Sequence, residues 1–407
     1  MTGAPTAAEA AALGPELVAL RRALHATPEV GLRLPATRRA VLDALDALTR
    51  GAGDALTVHT GRALDSVVAV LHGARPGPVV LLRGDMDALP VRERTGLPFA
   101  AEGDAMHACG HDLHTAGLVG AARLLAARRD HMAGSVVLMF QPGEEGYDGA
   151  GLMLDEGLLD AAGRPVDSAY ALHVVADLPA GRCYTRPGPV MSSYGVLDAT
   201  VTGRGGHGGR PHEALDPIPP ATEAALALTT YVARRFDAFD PVVVTVGEFH
   251  AGTAPNVVPD SARFRAGVRT FTDVATRRVA AELPSLVRGI AAAHGAEADV
   301  TFRTVLPATV NDPHHAELFA RTAAELFGAD AYQELPRPRM GSEDFSRVLA
   351  RVPGAYGYLG AAPAGVDHPA GNHAPTAVFD DSVLPAAARL LAALAWRHVG
   401  PSPRSTP

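Results

Sequence analysis

The chain has 407 residues, 47% of them hydrophobic and 20% charged, and this length exceeds what one hydrophobic core supports, so we expect at least two domains. The formal net charge of −8 and the aromatic content of 5% argue against nucleic acid or an anionic membrane as a partner. All 36 basic residues are arginine, which excludes chemistry that needs a lysine, such as a Schiff base or a P-loop phosphate site.

The first half of the chain predicts alternating helices and strands. Apolar spacing indicates two opening helices, in LGPELVALRRALHATPE and PATRRAVLDALDAL. Buried strands are then predicted in SVVAVLHG, PVVLLRGD, SVVLMF and SAYALHV, with a helix in TAGLVGAARLLAAR. This alternation is typical of an α/β sheet whose two faces are covered by helices.

The pattern changes near residue 190, where strands and helices follow in the order βαββαβ, a complete ferredoxin-like unit. The α/β pattern resumes in HAELFARTAAELF and AYGYLG, and the tail PSPRSTP is expected to lack regular structure. We therefore predict one α/β domain formed by residues 1–189 and 306–407, with a smaller domain, residues 190–305, inserted into it.

Acidic side chains and a histidine follow three of the predicted strands. Asp85 and Asp87 end PVVLLRGDMD, Glu144 and Glu145 follow SVVLMFQPG, and His173 ends SAYALHV. Because sites in open α/β sheets form outside the carboxyl ends of the strands, we expect these side chains to meet at one edge.

The stretch MHACGHDLHT, residues 106–115, adds Cys109 and His111 in a loop before a helix. Thiolate, imidazole and carboxylate together suit zinc, manganese, cobalt or nickel better than calcium or magnesium. Adjacent glutamates in a non-helical loop point in different directions, so one can bind metal while the other faces a bound water. His107 and His114 flank the motif, and the sequence leaves open whether they are ligands or orient the ligands.

The segment GRGGHG, residues 203–208, matches the glycine pattern of a dinucleotide loop after a strand. Arg210, Pro211 and His212 follow it instead of a helix start. Without a helix N-terminus to meet a pyrophosphate, we do not expect a dinucleotide site here.

Motifs along almost the whole chain resemble the M20 metallopeptidases, and specifically their amidohydrolase branch. The similar segments are RRALHATPEVG, RGDMDALP, HACGHDLHTA, FQPGEEG, ALHV, GRGGHGGRPH, GTAPNVVPD, MGSEDFS and GNHAPTAVFDD. The resemblance implies a two-metal α/β catalytic domain, and an inserted lid domain through which the chain forms a homodimer.

The resemblance also implies roles for particular residues. Glu144 would be the general base, and His207 of the lid would stabilise the oxyanion in the partner subunit's site. Asn256 would face the substrate. His373 is the expected last ligand, with His368 as its rival. The implied metal ligands are Cys109, His111, Glu145, His173 and His373.

These residues predict a metal-dependent amidohydrolase that cleaves the N-acyl amide bond of N-acyl-amino acids, a class of small-molecule substrate. Its cofactors would be two divalent transition-metal ions, zinc or manganese, with cobalt or nickel as alternatives. The alternative functions are a dipeptidase or carboxypeptidase on the same scaffold, and a non-catalytic protein that only binds acyl-amino acids. The presence of Glu144 argues against the last of these.

The two cysteines, Cys109 and Cys183, are too few for a disulfide framework, which favours a reducing compartment. The N-terminal segment lacks the basic and apolar regions of a secretory signal. The sequence contains no run of eighteen apolar residues, so no membrane span is predicted. The expected location is the cytoplasm.

Overall fold

The computed structural model describes residues 3–52 and 55–401, so the predicted tail PSPRSTP lies almost wholly outside the described residues. Within them the helices are α1 (Ala7–Ala26), α2 (Pro35–Ala52), α3 (His111–Ala126), α4 (Gly149–Asp155), α5 (Ile218–Arg235), α6 (Asp273–Ala293), α7 (Pro313–Phe327), α8 (Ser346–Leu349) and α9 (Leu384–Val399).

The strands of the first half are β1 (Leu56–Thr60), β2 (Val67–His72), β3 (Arg75–Asp85), β4 (Ala133–Gln141), β5 (Ser168–Pro179), β6 (Cys183–Thr185), β7 (Gly188–Met191) and β8 (Tyr194–Thr202). Those of the second half are β9 (Gly206–His207), β10 (Val243–Ala251), β11 (Val257–Val258), β12 (Ser261–Arg269), β13 (Glu297–Leu306), β14 (Thr309–Asn311), β15 (Tyr332–Glu334) and β16 (Gly354–Ala362).

The chain divides into two compact units. The first contains the residues up to Gly188, then Val310–Arg337, then the residues from Arg347 onward. The second contains Pro189–Thr309 and Pro338–Ser346. The predicted limits at 190 and 305 differ from these by a few residues, and the prediction did not include Pro338–Ser346 in the second unit.

The first unit contains an eight-stranded sheet in the order β1-β2-β4-β3-β5-β16-β6-β15. Its central strands β4, β3, β5 and β16 pair in parallel, while β2 and β6 pair antiparallel with β4 and β16. The stretch Val79 to Leu82 of β3 is buried at every position, as expected for a strand covered on both faces. Helices α3 and α9 pack against β3, and α7 packs against β16. The α/β prediction is confirmed.

One detail of the predicted sheet was wrong. His173 was expected at the end of its strand, but β5 continues to Pro179, because its pairing with β16 extends from Gly354 opposite Ala169 to Ala362 opposite Pro179. His173 therefore lies inside β5, opposite Tyr358.

The second unit follows the order β8-α5-β10-β12-α6-β13. Its sheet has the strand order β10-β12-β8-β13 with antiparallel neighbours, which is the ferredoxin-like arrangement. Its core combines alternate residues of the strands with one face of each helix, including Leu197, Phe264, Leu228 and Leu283. The short strands β9 and β11 form a separate pair. No helix among the described residues is long and apolar enough to cross a membrane.

Candidate metal centre

The turn before α3 places Cys109 beside the first residue of the helix, His111. Gly110 between them has φ +83°, and a Cβ there would lie 2.4 Å from a methyl group of Val174. Glycine is therefore required on both conformational and steric grounds. The prediction put His111 in the loop, whereas the structure makes it the first residue of α3.

Two imidazole rings are held by backbone carbonyl groups. His111 Nδ1 lies 2.8 Å from the carbonyl oxygen of Asp87, and His173 Nδ1 lies 2.7 Å from that of Val174. Each Nδ1 must donate to its carbonyl, so in the neutral ring each Nε2 carries the lone pair. His173 Nε2 lies 3.3 Å from Cys109 Sγ, and His111 Nε2 is buried with no hydrogen-bond partner in the described chain. This is how histidine ligands of metals are oriented.

His373 approaches the same sulfur from a distant part of the chain. Its Nε2 lies 3.2 Å from Cys109 Sγ and 3.3 Å from Glu145 Oε1. Its φ of +70° is unusual for a residue other than glycine, and such strain is concentrated at functional sites. The neighbouring Asn372 fixes this loop by accepting from the N–H of Ala176 at 2.9 Å and donating to the carbonyl of Val174 at 3.0 Å.

Sequence reasoning missed Asn372, although its position directly before His373 in GNHAP could have indicated it. The rival histidine, His368, is exposed to solvent. The structure therefore brings His373, and not His368, to Cys109.

The adjacent glutamates lie in the loop after β4, held by one buried carboxylate. Asp87 accepts the backbone N–H of Glu144 and that of Glu145, each at 3.0 Å. The side chain of Glu145 is 13% exposed, and its Oε1 lies 4.0 Å from His111 Nε2. Asp87 thus fixes the backbone from which both glutamates project.

The candidate ligands form two groups that share Cys109. Cys109, His111 and His173 form one group, and Cys109, Glu145 and His373 form the other, each with ligand atoms within 4.8 Å of one another. His111, Glu144 and Glu145 form a further group on the same criterion. The two three-residue groups would hold two divalent cations, and their sulfur, nitrogen and oxygen donors suit transition-metal ions.

The electrostatics of the cluster agree with this fit. Hydrogen bonds to Cys109 and Glu145 raise the pKa of His373 to about 10, because both neighbours favour a positive charge at that position. Burial lowers the pKa of His173 well below its ordinary value, which keeps this imidazole neutral, the form that binds metal. His111 Nε2 is buried without a hydrogen bond in the described part of the chain, and a bound cation would satisfy this atom.

The structure shows the surroundings of His107 and His114, whose roles the sequence left open. His114 Nδ1 is bonded to Asp85, and its Nε2 accepts the backbone N–H of Val174 at 2.8 Å. Both its nitrogens are therefore occupied, so His114 orients its neighbours. His107 is buried next to the motif, and burial lowers its pKa to about 4.

In the second unit, His207 and Asn256 are neighbours on the β9–β11 pair. His207 lies opposite Val257, the N–H of Gly208 donates to the carbonyl of Asn256 at 2.8 Å, and both side chains are exposed. The N–H of Gly209 donates to His207 Nδ1 at 3.0 Å, which leaves the proton on Nε2. The helix after GRGGHG begins only at Ile218, so this segment does not form a dinucleotide loop.

Comparisons with known proteins identify the family. Residues 81–397 match the model of peptidase family M20/M25/M40. The chain is 34% identical to the N-acetylcysteine deacetylase of Bacillus subtilis (strain 168), over 93% of this chain and 96% of that protein. It is also 34% identical to thermostable carboxypeptidase 1 of Saccharolobus solfataricus, over 90% and 91%.

A crystal structure of a Bacillus subtilis protein, described as a dinuclear metal binding peptidase from the M20 family, superposes with a TM-score of 0.80. It is 31% identical in sequence, with 94% of this chain and 98% of that chain covered. The chain belongs to peptidase family M20/M25/M40. It is a metal-dependent hydrolase of amide bonds, in the amidohydrolase branch of that family.

Proposed function

We propose that the protein removes the acyl group from N-acyl-amino acids, using two divalent transition-metal ions. The observation that supports this most directly is the pair of ligand groups sharing Cys109, with Glu144 beside them. The similarity to an N-acetylcysteine deacetylase supports the substrate class.

Cys109, His111 and His173 would hold one ion, and Cys109, Glu145 and His373 the other. Zinc or manganese suits this mixture of sulfur, nitrogen and oxygen, with cobalt or nickel as alternatives. When bound, such a centre polarises the amide carbonyl and lowers the pKa of a water molecule. A free Cys109 thiol is needed for this, which favours a cytoplasmic location.

Glu144 supplies the proton transfer. It accepts a proton from the attacking water and delivers it to the leaving nitrogen, acting first as general base and then as general acid. Asp87 holds Glu144 and Glu145 in place through their backbone N–H groups, so the two carboxylates take separate tasks.

His207 and Asn256 are the proposed contributions of the inserted unit. The Nε2 proton of His207 is available to donate to the developing oxyanion, because Nδ1 is occupied by Gly209. Asn256, the residue before β11, would contact the substrate. We assign both side chains to the partner's active site in a homodimer.

The homodimer would form through the second unit, acting as a lid and dimerisation domain. Its strand β10 is the first strand of the sheet order and is largely exposed. Leu226 on α5 is 67% exposed. An open strand edge beside exposed apolar residues favours pairing with a second copy of the chain.

Carboxypeptidase activity is the second candidate, because the chain is as similar to a thermostable carboxypeptidase as to the deacetylase. Turnover of N-acetyl-, N-benzoyl- and indoleacetyl-amino acids, measured against dipeptides and N-acetylated dipeptides, separates the two. We expect the highest kcat/KM on an acyl-amino acid. A higher value on the peptides would favour the carboxypeptidase, and binding without cleavage of any substrate by the metal-loaded protein would favour a binding protein.

A further inference from the structure

The helix α1 carries a cluster of charged residues that the proposed mechanism does not use. Arg21 and His25, both from RRALHATPEVG, are completely buried. Neither is a candidate ligand. Buried charges are costly unless they are paired, so their partners indicate what they do.

Arg21 joins two segments that carry candidate ligands. Its Nε lies 2.8 Å from Oδ2 of Asp112, the residue after His111. Its guanidinium also donates to Oδ1 of Asp381 at 3.0 Å, eight residues after His373. Arg22 donates to the other oxygen of Asp381 at 2.8 Å. Neighbouring arginines of α1 therefore hold the start of α3 and the end of the His373 loop.

His25 also connects α1 to the segments next to the candidate ligands. Its Nδ1 lies 2.7 Å from Oδ2 of Asp112, and its Nε2 lies 3.2 Å from Oε1 of Glu93. Burial and the nearby Arg21 disfavour a charged ring here, but Asp112 and Glu93 outweigh them and raise the pKa of His25. The residue after Glu93, Arg94, donates its N–H to the carbonyl of Pro375 at 2.7 Å, within the His373 loop.

The opposite end of α1 offers a comparison. There Glu9 pairs with Arg128, just beyond the end of α3, and this pair also fastens α1 to the α3 region. Unlike the Arg21 cluster, it does not reach a segment with a candidate ligand. If α1 acted only by stabilising the fold, weakening the contacts at either end would change metal affinity to the same extent.

We propose that Arg21 and His25 are positioning residues that set the metal affinity of the centre, by fixing the separation of the His111 and His373 segments. This inference rests on the proposed dinuclear site. Residues that orient ligands typically change metal affinity by roughly 10–100-fold when they are removed. We expect a change in metal affinity of that size when the contacts of Arg21 and His25 are weakened, although none of the five candidate ligands lies on α1.

Two mild substitutions test the proposal, Asp381→Asn and His25→Gln, each of which replaces a side chain that makes two ionic contacts by a neutral polar one. The matched control is Glu9→Gln, which weakens the pair at the other end of α1 while keeping a side chain that can cap the helix. Cobalt(II) is titrated into metal-free protein, and the absorption of the thiolate–cobalt bond reports on Cys109. Thermal unfolding of the metal-free proteins reports on stability.

We expect cobalt affinity to fall by about 10–100-fold in Asp381→Asn and His25→Gln, and to be unchanged in Glu9→Gln even where its metal-free stability falls as much. Unchanged affinity in both test variants, or an equal loss in Glu9→Gln, would overturn the proposal. A wild type that binds cobalt no better than Cys109→Ala would overturn the proposed dinuclear site, and this inference with it. If one test variant does not fold, the other decides, with Arg21→Lys, which keeps the charge, as a third.

Discussion

Glu144 and Glu145 have the same chemistry and adjacent positions, yet the proposed mechanism gives them different tasks. Glu145 Oε1 is buried and lies 3.3 Å from His373 Nε2, within the ligand cluster. Glu144 belongs to a separate group with His111 and Glu145. The backbone N–H groups of both residues donate to Asp87, which holds the peptides from which the two side chains project.

Substitution of each glutamate by glutamine should therefore have different effects. Glu144→Gln should retain its metals and bind substrate with similar affinity, but lower kcat by about 10²–10⁴-fold because the proton acceptor is missing. Glu145→Gln should lose metal and activity together, and excess metal should partly restore both. Elemental analysis and steady-state kinetics distinguish them, and wild-type kcat in Glu144→Gln would contradict its role as general base.

At the scale of elements, periodic segments were predictable, and so were some of the continuously apolar ones, such as β3 and α3. Helix α6 (Asp273–Ala293), the second helix of the predicted βαββαβ order, has one face buried and the other exposed, which gives a detectable period. Helix α9 was missed, since it is buried from Leu390 to Trp396 without interruption and shows no amphipathic period. The strand β15, three residues long, offers too short a pattern to detect.

The part of the candidate site that lies at the ends of strands was predictable from the sequence. Glu144 and Glu145 follow β4, and Asp85 ends β3, so their common edge could be expected from strand order. His373 could not be located from periodicity, because it lies in a loop 264 residues from Cys109 and only the fold brings them together. The task of Asp87 could not be predicted either, since its hydrogen bonds are to backbone groups.

The packing of α9 against β5 and α7 contains a partly buried histidine with a testable pH dependence. His398 Nε2 lies 2.8 Å from the hydroxyl of Tyr170, and its ring stacks on His315. Burial, reinforced by the nearby His315 and His314 and only partly opposed by Asp167, lowers the pKa of His398 to about 4. The unfolded chain therefore binds this proton more readily than the folded protein does.

The resulting stability is fully present above pH 6.5 and is lost as the pH falls from 6.5 towards 4, a contribution of about 1–3 kcal/mol. His398→Gln keeps an acceptor for Tyr170 but cannot titrate. We expect the free energy of unfolding of the metal-free wild type to decrease more between pH 7 and pH 4.5 than that of His398→Gln. Denaturant unfolding at both pH values measures this, and equal decreases would contradict the assignment.

At the scale of the whole molecule, the chain combines a unit that contains the candidate ligands with a unit that contains His207 and Asn256. The second unit has an open edge at β10, exposed apolar residues on α5, and a histidine whose tautomer suits donation. The open edge and the exposed apolar surface are liabilities in an isolated protein that pairing with a second copy would cover. We therefore propose that a complete active site would contain residues from two chains.

Mixed dimers test this connection. His207→Ala alone should lower kcat by about 10²–10³-fold, the usual effect of removing one oxyanion donor, and Glu144→Gln alone should lower it at least as much. In a dimer of one chain of each kind, His207 acting across the interface leaves one site with both defects and the other with none. Heterodimers purified through two different tags should therefore recover about half of the wild-type activity per dimer. If His207 acted within its own chain, each site would keep one defect, so verified heterodimers as inactive as their parents would show that His207 does not serve the partner's site.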